Sequence, residues 1–233
     1  MNEPTTLYII RHGKTMFNTI GRTQGWSDTP LTREGEKTIL YLGLGLREID
    51  FKEAYSSDSG RAIQTARIIL QEHQNGANIP YNTDSRIREW CFGSLDGGYD
   101  GELWGVVPRI LAYKNYEDMM TNSISYKELA DAIITDDTAN WAEPYDKIRD
   151  RVWSGFEDIA YHREKHGGGN VMIVSHGLTI SFLMSLIDNR LPMQIALKNG
   201  SVTKLIYENG KFTIDTVNDT HYIDKGQAIF STT

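Results

Sequence analysis

The chain has 233 residues and a net charge of −7 at neutral pH; this length suits one α/β domain, or one domain with an insertion, and is enough to bury a large core. Its 31 acidic residues outnumber its 24 basic ones, which argues against nucleic acid as a partner but not against a small anion held by local cations. The single cysteine, Cys91, excludes an internal disulfide. The sequence has no signal-peptide pattern, and no apolar run approaches the roughly 20 residues of a membrane span. We therefore expect a cytoplasmic protein that does not bind membranes.

The first predicted strand ends in a cation and an imidazole. Residues 7–10 are apolar and strand-forming, and Arg11 and His12 follow them directly. Such a short apolar run is typical of a buried parallel strand, whose carboxyl end faces the ligand site of an open α/β sheet. Gly13 then lets the backbone turn sharply and approach whatever lies there. The strand therefore delivers Arg11 and His12 to the mouth of a cleft.

A polar, glycine-containing loop comes next, followed by a helix. Asn18, Arg22 and Thr23 lie in this loop and could donate hydrogen bonds to an oxyanion, although a polar loop of this kind can also be merely solvated. Thr32 has the character of a helix cap, and the apolar positions predict a helix from there to about residue 49. Two glycines inside that helix weaken the prediction.

An arginine in the first turn of the next helix is a further candidate. Residues 51–56 are predicted to form a strand, and a serine or the aspartate among residues 57–59 can cap a helix that continues to about residue 71. Arg61 then lies near the positive end of the helix dipole, where a cation is unfavourable unless an anion is bound nearby. A functional role for Arg61 is therefore favoured over that of a surface arginine.

Glu89 is the candidate proton donor. It lies between basic residues and an aromatic, apolar stretch. An apolar setting would raise the pKa of its carboxyl group and suit it to proton transfer, whereas an ion pair with Arg86 or Arg88 would make it structural. The local pattern does not separate these two alternatives.

The region from residue 99 to about 142 is less periodic and is predicted to be a helical insertion. Its aromatic side chains either line a substrate pocket or form a small satellite core. A clear helix over 145–166 follows, with His162 and His166 four residues apart near its end. We expect an exposed helix end there rather than a metal site, because no third ligand is found nearby.

A later strand ends like the first. Residues 171–175 lead into His176, and an apolar helix over 178–187 follows. If this strand lies parallel to the first in one sheet, His12 and His176 emerge at the same edge.

The C-terminal part completes the expected architecture. Residues 202–217, with Asn-Gly at 209–210, are predicted to form a β-hairpin, and the residues from 218 onward show no clear pattern. Together the elements predict a three-layer α/β/α fold with a mostly parallel central sheet, to which the C-terminal hairpin contributes an antiparallel strand.

Five motifs resemble those of the histidine phosphatase superfamily, whose founding branch is the cofactor-dependent phosphoglycerate mutases. They are Arg11-His12-Gly13-x-Thr15-x-x-Asn18, Gly25-Trp26-x-Asp28-x-Pro30-Leu31-Thr32-x-x-Gly35, Ser56-Ser57-Asp58-x-x-Arg61-Ala62-x-x-Thr65-Ala66, Arg88-Glu89-x-x-x-Gly93-x-x-Asp96-Gly97 and Ser175-His176-Gly177. Each motif alone is moderately specific, but five in the right order are strongly specific and span most of the chain. The resemblance implies a single domain over residues 1–233, with the helical insertion at about 99–142 over the active site.

The resemblance also implies a function and a set of residues. It implies a metal-independent phosphomonoesterase without a cofactor, which acts on a small phosphorylated substrate through a phosphohistidine. His12 would be the nucleophile and Glu89 the general acid, and the implied catalytic set is completed by His176, Arg11 and Arg61. The implied substrate-binding residues are Arg11, Asn18, Arg61, His176, Thr23, Gln24 and Gly25.

Two departures from the family pattern leave alternatives open. Lys14 stands where the family commonly has an acidic residue, which makes the pocket mouth more positive. Further sequence blocks of the mutase branch are not found, which moves the resemblance toward phosphatases. The alternatives are a cofactor-dependent phosphoglycerate mutase and a non-catalytic phosphate-binding module on the same fold. The identity of the substrate and the oligomeric state, a homo-oligomer included, stay open.

Overall fold

The computed structural model describes residues 3–193 and 197–232, which contain six strands and nine α-helices. The strands are β1 (Thr5–Arg11), β2 (Phe51–Ser56), β3 (Tyr81–Thr83), β4 (Gly169–Ser175), β5 (Val202–Glu208) and β6 (Lys211–Asp219). The helices are α1 (Met16–Ile20), α2 (Arg33–Leu46), α3 (Gly60–Glu72), α4 (Asp100–Ile110), α5 (Tyr116–Thr121), α6 (Tyr126–Asp136), α7 (Tyr145–Lys165), α8 (Gly177–Ile187) and α9 (His221–Phe230).

The strands form a six-stranded sheet in the order β3-β2-β4-β1-β5-β6. The first four strands of the chain pair in parallel, whereas β5 and β6 run antiparallel to their neighbours. This sheet confirms the predicted fold class, including the C-terminal hairpin. In the pairing of β1 with β4, Arg11 lies opposite Ser175, so His12 and His176 directly follow two neighbouring strand ends.

Each face of the sheet buries its own hydrophobic core. On one face, side chains such as Leu7 and Ile173 pack with α7, α8 and the helices of the 99–142 region. On the other face, Ile10 and Val174 pack with α2, α3 and α9. Because neighbouring residues of a strand point to opposite faces, a strand covered on both sides has a continuous apolar run, as residues 7–10 have.

The residues after 218, which show no pattern in the sequence, form α9 against α2. The two helices come close because glycines lie at their contact. A Cβ at Gly226 would lie 1.6 Å from the carbonyl oxygen of Tyr41, and one at Gly45 would lie 1.9 Å from that of Tyr222. The predicted bound near residue 49 is wrong, because α2 ends at Leu46.

The helices α4, α5 and α6 lie within residues 99–142. Their buried side chains, such as Met119 and Leu129, share one core with Trp90 and Phe182. Among the aromatic side chains of this region, Tyr126 is buried in the same core and Trp104 packs against it, so the expectation of a separate satellite core is wrong for them. None of the described helices is both long enough and apolar enough to cross a bilayer.

Candidate active site

His12 and His176 lie side by side at the carboxyl ends of β1 and β4. Their ring centroids are 5.2 Å apart, and both side chains are buried. The parallel pairing of two strands that each lead into a histidine produces this arrangement. The two imidazoles therefore emerge at one edge of the sheet.

Arg61 connects the two imidazoles. It is fully buried in the first turn of α3, and it donates from Nε to Nε2 of His12 (3.3 Å) and from Nη2 to Nδ1 of His176 (3.0 Å). Its Nη1 donates to Oδ1 of Asp28 at 2.9 Å, so a carboxylate of the protein already compensates this cation. Burial lowers the pKa of Arg61, and the hydrogen bond to Asp28 opposes that effect. The alternative of a surface arginine is wrong.

These contacts assign the protons on both rings. A guanidinium can only donate, so Nε2 of His12 and Nδ1 of His176 are the unprotonated nitrogens. Nδ1 of His12 therefore donates to the carbonyl oxygen of Gly13 at 2.8 Å, and Nε2 of His176 donates to the hydroxyl of Ser57 at 2.6 Å. Burial lowers the pKa of both histidines well below the usual value, and the charge of Arg61 lowers them further. Both rings are neutral near pH 7.

Arg11 lies next to the histidines at the end of β1. Its Nη1 donates to the carbonyl oxygen of Leu197, and its buried Nε has no hydrogen-bond partner among residues 3–193 and 197–232. A Cβ at Gly177 would lie 3.2 Å from this Nε, so the glycine after His176 makes room for the guanidinium. Burial lowers the pKa of Arg11, which the charge of Glu89 opposes. Such a cation is suited to bind an oxyanion.

Glu89 lies at the amino end of α8 and not in an apolar setting. Its Oε1 accepts hydrogen bonds from the N–H and the hydroxyl of Thr179, both at 2.9 Å, and from the N–H of Trp90 at 3.1 Å. Its Oε2 accepts from the N–H of Leu178 at 3.1 Å. A carboxylate at this position satisfies backbone donors that the first turn of a helix leaves free.

The alternative of a structural ion pair for Glu89 is also wrong. Arg88 forms a bidentate pair with Asp58, and its guanidinium lies over the ring of Trp26 at 4.9 Å from the centroid. Arg86 pairs with Asp84 and Asp158 instead.

Asn18, which the sequence placed in a loop, lies in the short helix α1 and close to the backbone of His12. The side chain of Asn199 donates to the carbonyl oxygen of His12 at 2.9 Å and to Oδ1 of Asn18 at 3.3 Å. The same Oδ1 accepts from the N–H of Thr15 at 3.2 Å, which completes the cap of α1. Asn199 is a contact of the site that the sequence motifs did not indicate.

Thr23, Gln24 and Gly25, which are also predicted to bind substrate, differ in what they contact. The carbonyl oxygens of Gln24 and Gly25 accept from Nη2 of Arg61, at 3.4 and 2.8 Å. Thr23 instead directs its hydroxyl to Asp100 at 3.2 Å, at the start of α4. Gln24 and Gly25 thus support the arginine, whereas the substrate-binding role of all three stays a prediction.

Two other charged side chains that the sequence placed near the pocket have partners elsewhere. Arg22 donates to the carbonyl oxygen of Gly97 and lies over the ring of Tyr99, 4.2 Å from its centroid. Lys14 lies 3.7 Å from Glu34, so its charge is shared with an acid.

Sequence reasoning missed the serines that hold His176. Ser59 occupies the cap position of α3 but makes no side-chain capping bond there. Its hydroxyl instead lies 3.3 Å from Nε2 of His176 and 2.9 Å from the hydroxyl of Ser57. The motif Ser56-Ser57-Asp58 carried the signal, but local sequence favours the reading of these residues as helix caps.

A cavity of about 270 Å³ lies beside Glu89. Its lining contains more acidic than basic residues: Gly25, Trp26, Asp28, Asp58, Ser59, Gly60, Arg88 and Glu89. Because Arg88 is already paired with Asp58, this end of the site has little free positive charge.

The pair of histidines at the end of α7 lies apart from this site. His162 is 3.4 Å from Glu53, and Nδ1 of His166 donates to the carbonyl oxygen of His162 at 2.7 Å. Within the described part of the chain, no three histidine, cysteine, aspartate or glutamate side chains are grouped so that they could hold a metal ion.

Comparison with known proteins identifies related sequences over nearly the whole chain. The family model of the histidine phosphatase superfamily (branch 1) matches residues 7–108 and 111–220. The probable phosphoglycerate mutase GpmB of Escherichia coli O1:K1 is 27% identical over 227 residues, which cover 94% of each chain.

Solved structures show the same fold. The phosphoglycerate mutase from Bacillus anthracis str. Sterne is 35% identical, with a TM-score of 0.91 over 97% of this chain and 98% of that one. The alpha-ribazole phosphatase from Shigella flexneri is 24% identical, with a TM-score of 0.67 over 93% of this chain and 97% of that one. At this lower identity the likeness shows the shared fold alone.

Proposed function

The chain belongs to branch 1 of the histidine phosphatase superfamily, and we propose that it is a metal-independent phosphomonoesterase that acts on a small phosphorylated substrate through a phosphohistidine. The observation that carries this proposal is the grouping of two neutral imidazoles with the buried guanidinium of Arg61 and the partly buried guanidinium of Arg11. A phosphomonoester is a compact dianion, so arginines that bind its oxygens and a neutral imidazole that attacks its phosphorus meet the needs of phosphoryl transfer.

In the first step, the phosphoryl group moves to His12. The lone pair of Nε2 attacks phosphorus while Nδ1–H stays bound to the carbonyl of Gly13, which fixes the ring. Arg11 and Arg61 bind the phosphoryl oxygens, and the Nε–H of Arg61 turns from His12 to an oxygen of the substrate. The bond from phosphorus to the leaving oxygen breaks, and that oxygen takes a proton.

Glu89 supplies this proton and recovers it in the second step. Oε1 accepts three hydrogen bonds and Oε2 accepts one, so Oε2 has a lone pair available to carry the proton. The resulting carboxylate then takes a proton from water as the water oxygen attacks the phosphohistidine and the P–N bond breaks.

His176 contributes a hydrogen bond to the transferring group. Its Nδ1 accepts from Arg61 and keeps that guanidinium in place. Its Nε2–H, which now donates to Ser57, is the donor that turns toward a phosphoryl oxygen. The side-chain NH2 group of Asn18 adds a neutral hydrogen-bond donor to the phosphoryl group.

The cavity beside Glu89 favours hydrolysis over mutase activity. A mutase would have to hold a bisphosphorylated molecule, whose second phosphate needs cations at the leaving-group end. The lining there contains Asp28, Asp58 and Glu89 and a single arginine that is already paired. A volume of about 270 Å³ also suits a small leaving group.

Labelling tests the nucleophile. Incubation with a radiolabelled phosphomonoester should yield an acid-labile, alkali-stable phosphoenzyme, and His12→Ala should abolish both the label and turnover. His166→Ala, at the exposed end of α7, should label like the unmodified protein. Full activity of His12→Ala would exclude His12 as the nucleophile.

A phosphoglycerate mutase is the second candidate, because two of the relatives bear that name. Assays with 3-phosphoglycerate, with and without 2,3-bisphosphoglycerate, distinguish a mutase from a phosphatase. Release of inorganic phosphate without the bisphosphate supports the phosphatase, whereas isomerisation that depends on the bisphosphate supports the mutase. A protein that binds phosphate but catalyses neither reaction is the non-catalytic module.

A further inference from the structure

The segment that carries Glu89 has no regular secondary structure from residue 88 to residue 92, and yet it is largely buried. Buried carbonyl groups outside helices and strands need partners from elsewhere in the protein. The hydroxyl of Thr179 lies 2.8 Å from the carbonyl oxygen of Arg88 and shares its single proton between that oxygen and Oε1 of Glu89. Nε1 of Trp26 donates to the carbonyl oxygen of Glu89 at 3.1 Å. Side chains from distant elements therefore hold this backbone.

Arg151, on α7, provides most of this support. Its Nη1 donates to the carbonyl oxygens of Arg86 and Arg88, both at 2.9 Å, and its Nη2 donates to that of Glu89 at 3.0 Å. Its remaining donors bind Glu143, from Nε at 2.7 Å and from Nη2 at 2.7 Å. All five N–H groups of the guanidinium are thus used, three of them on the backbone around Glu89.

Glu143 completes the arrangement from the other side of Glu89. It is only 3% exposed, and its Oε2 also accepts from the N–H of Cys91 at 3.2 Å. The ion pair of Arg151 and Glu143 therefore binds backbone groups both before and after Glu89. The hydrogen bonds that these two side chains form go to each other and to the backbone around Glu89. The charge of Arg151 also contributes to lowering the pKa of His176.

We propose that Arg151 and Glu143 are positioning residues that set the location of the Glu89 carboxyl group relative to the leaving oxygen. This inference rests on the proposed function of Glu89 as the general acid. The planar fork of an arginine can bind several carbonyls in fixed directions, which neither an apolar side chain nor a lysine reproduces. A displacement of about 1 Å of a catalytic group can lower a rate by about 10²-fold, so this support acts on the proton-transfer step.

The test compares two substrates that differ in their need for a general acid. An alkyl phosphate expels an alkoxide that requires a proton, whereas p-nitrophenyl phosphate expels a stable phenolate. Rapid-quench measurement of phosphoenzyme formation gives a rate constant for each substrate. The ratio of the two does not depend on the fraction of protein that is folded, so a merely structural defect leaves it unchanged.

Arg151→Met should lower the rate constant of phosphoenzyme formation from the alkyl phosphate about 10- to 100-fold and that from p-nitrophenyl phosphate by less than about threefold. Glu143→Gln, which keeps the side-chain shape, should change the ratio in the same direction by a smaller factor. Arg149→Met is the matched control, because Arg149 lies on the same helix and pairs with Asp146 and Asp150 at the surface.

The outcomes separate this inference from the function on which it rests. If Glu89→Gln changes the substrate ratio and neither Arg151→Met nor Glu143→Gln does, the positioning role is wrong and the role of Glu89 stands. If Glu89→Gln leaves the ratio unchanged, the general-acid role is wrong and the positioning role is lost with it. If Arg151→Met does not fold, the ratio of the two rate constants in Glu143→Gln tests the positioning role.

Discussion

Arg61 shows how much of this site depends on a single side chain. Its guanidinium contacts both imidazoles and a carboxylate while it is fully buried. Burying a cation is costly unless it is paired and fully hydrogen-bonded, and the carboxylate of Asp28 with the carbonyls of the preceding loop meets that need. The protein can therefore hold a cation beside two neutral imidazoles before any substrate arrives.

At the same scale, we expect Glu89→Gln to lower turnover by about two to four orders of magnitude, the usual scale for a general acid. The side-chain oxygen of glutamine can accept the hydrogen bonds that Oε1 receives, but its NH2 group can neither accept from the N–H of Leu178 nor deliver or take the proton. Steady-state turnover on several phosphomonoesters measures the effect. Glu117→Gln, an exposed acid on α5, is the control, and turnover of Glu89→Gln equal to that of this control would remove Glu89 from the role.

Among the elements, α2 and α9 show a contact that only small residues allow. The backbone of each helix lies where the other would place a side chain, since Gly45 faces Tyr222 and Gly226 faces Tyr41. These helices cover one face of the sheet, including the side chains of Ile10 and Val174 at the ends of β1 and β4. Packing on this face therefore supports the strand ends from which the histidines emerge.

We expect Gly226→Ala to destabilise the protein by about 1–3 kcal/mol or more, because the added methyl group overlaps a backbone carbonyl that cannot move freely. Gly105→Ala is the matched control. Gly105 is an exposed position inside helix α4, and a Cβ there would have no atom within 4 Å, so alanine should stabilise the protein by about 0.5–1 kcal/mol. Urea unfolding of both variants measures the difference, and equal effects would contradict this account.

For the whole molecule, two neutral histidines buried between the layers make stability depend on pH. In the folded protein, the pKa values of both histidines lie well below the ordinary 6.5. On acidification, the unfolded chain therefore binds protons at these histidines at pH values where the folded protein does not. The stabilisation that comes from keeping these histidines neutral is fully present above about pH 6.5. As the pH falls below that value, the free energy of unfolding decreases by up to about 1.4 kcal/mol per histidine per pH unit.

We therefore expect the free energy of unfolding to decrease between about pH 7 and pH 5.5 in buffers without phosphate. The double variant His12→Asn/His176→Asn should show a shallower slope over the same range, whatever its absolute stability. Chemical denaturation at several pH values measures both slopes. Identical slopes in the two proteins would mean that these histidines do not control the acid sensitivity.

Local sequence patterns were sufficient to predict β1, β2, β4 and the C-terminal hairpin, most of the helices and the residues that meet at the sheet edge. Apolar runs in β1 and β4, the Thr32 cap of α2 and the Asn-Gly turn of the hairpin are local signals, because propensity and periodicity act over a few neighbouring residues. The order of β1 and β4 in the sheet then brought His12 and His176 together as the motifs had implied.

The side chains that surround those residues became known only from the three-dimensional contacts. From the sequence, Ser57 and Ser59 are predicted to be helix caps, but in the fold their hydroxyls lie beside His176. The environment of Glu89 likewise depends on the amino end of α8. Arg151 looks like any polar position of α7, and local sequence does not show that Gly45 and Gly226 bring α2 and α9 together. These contacts join residues tens to more than a hundred positions apart, and their free energy depends on packing that no local stretch encodes.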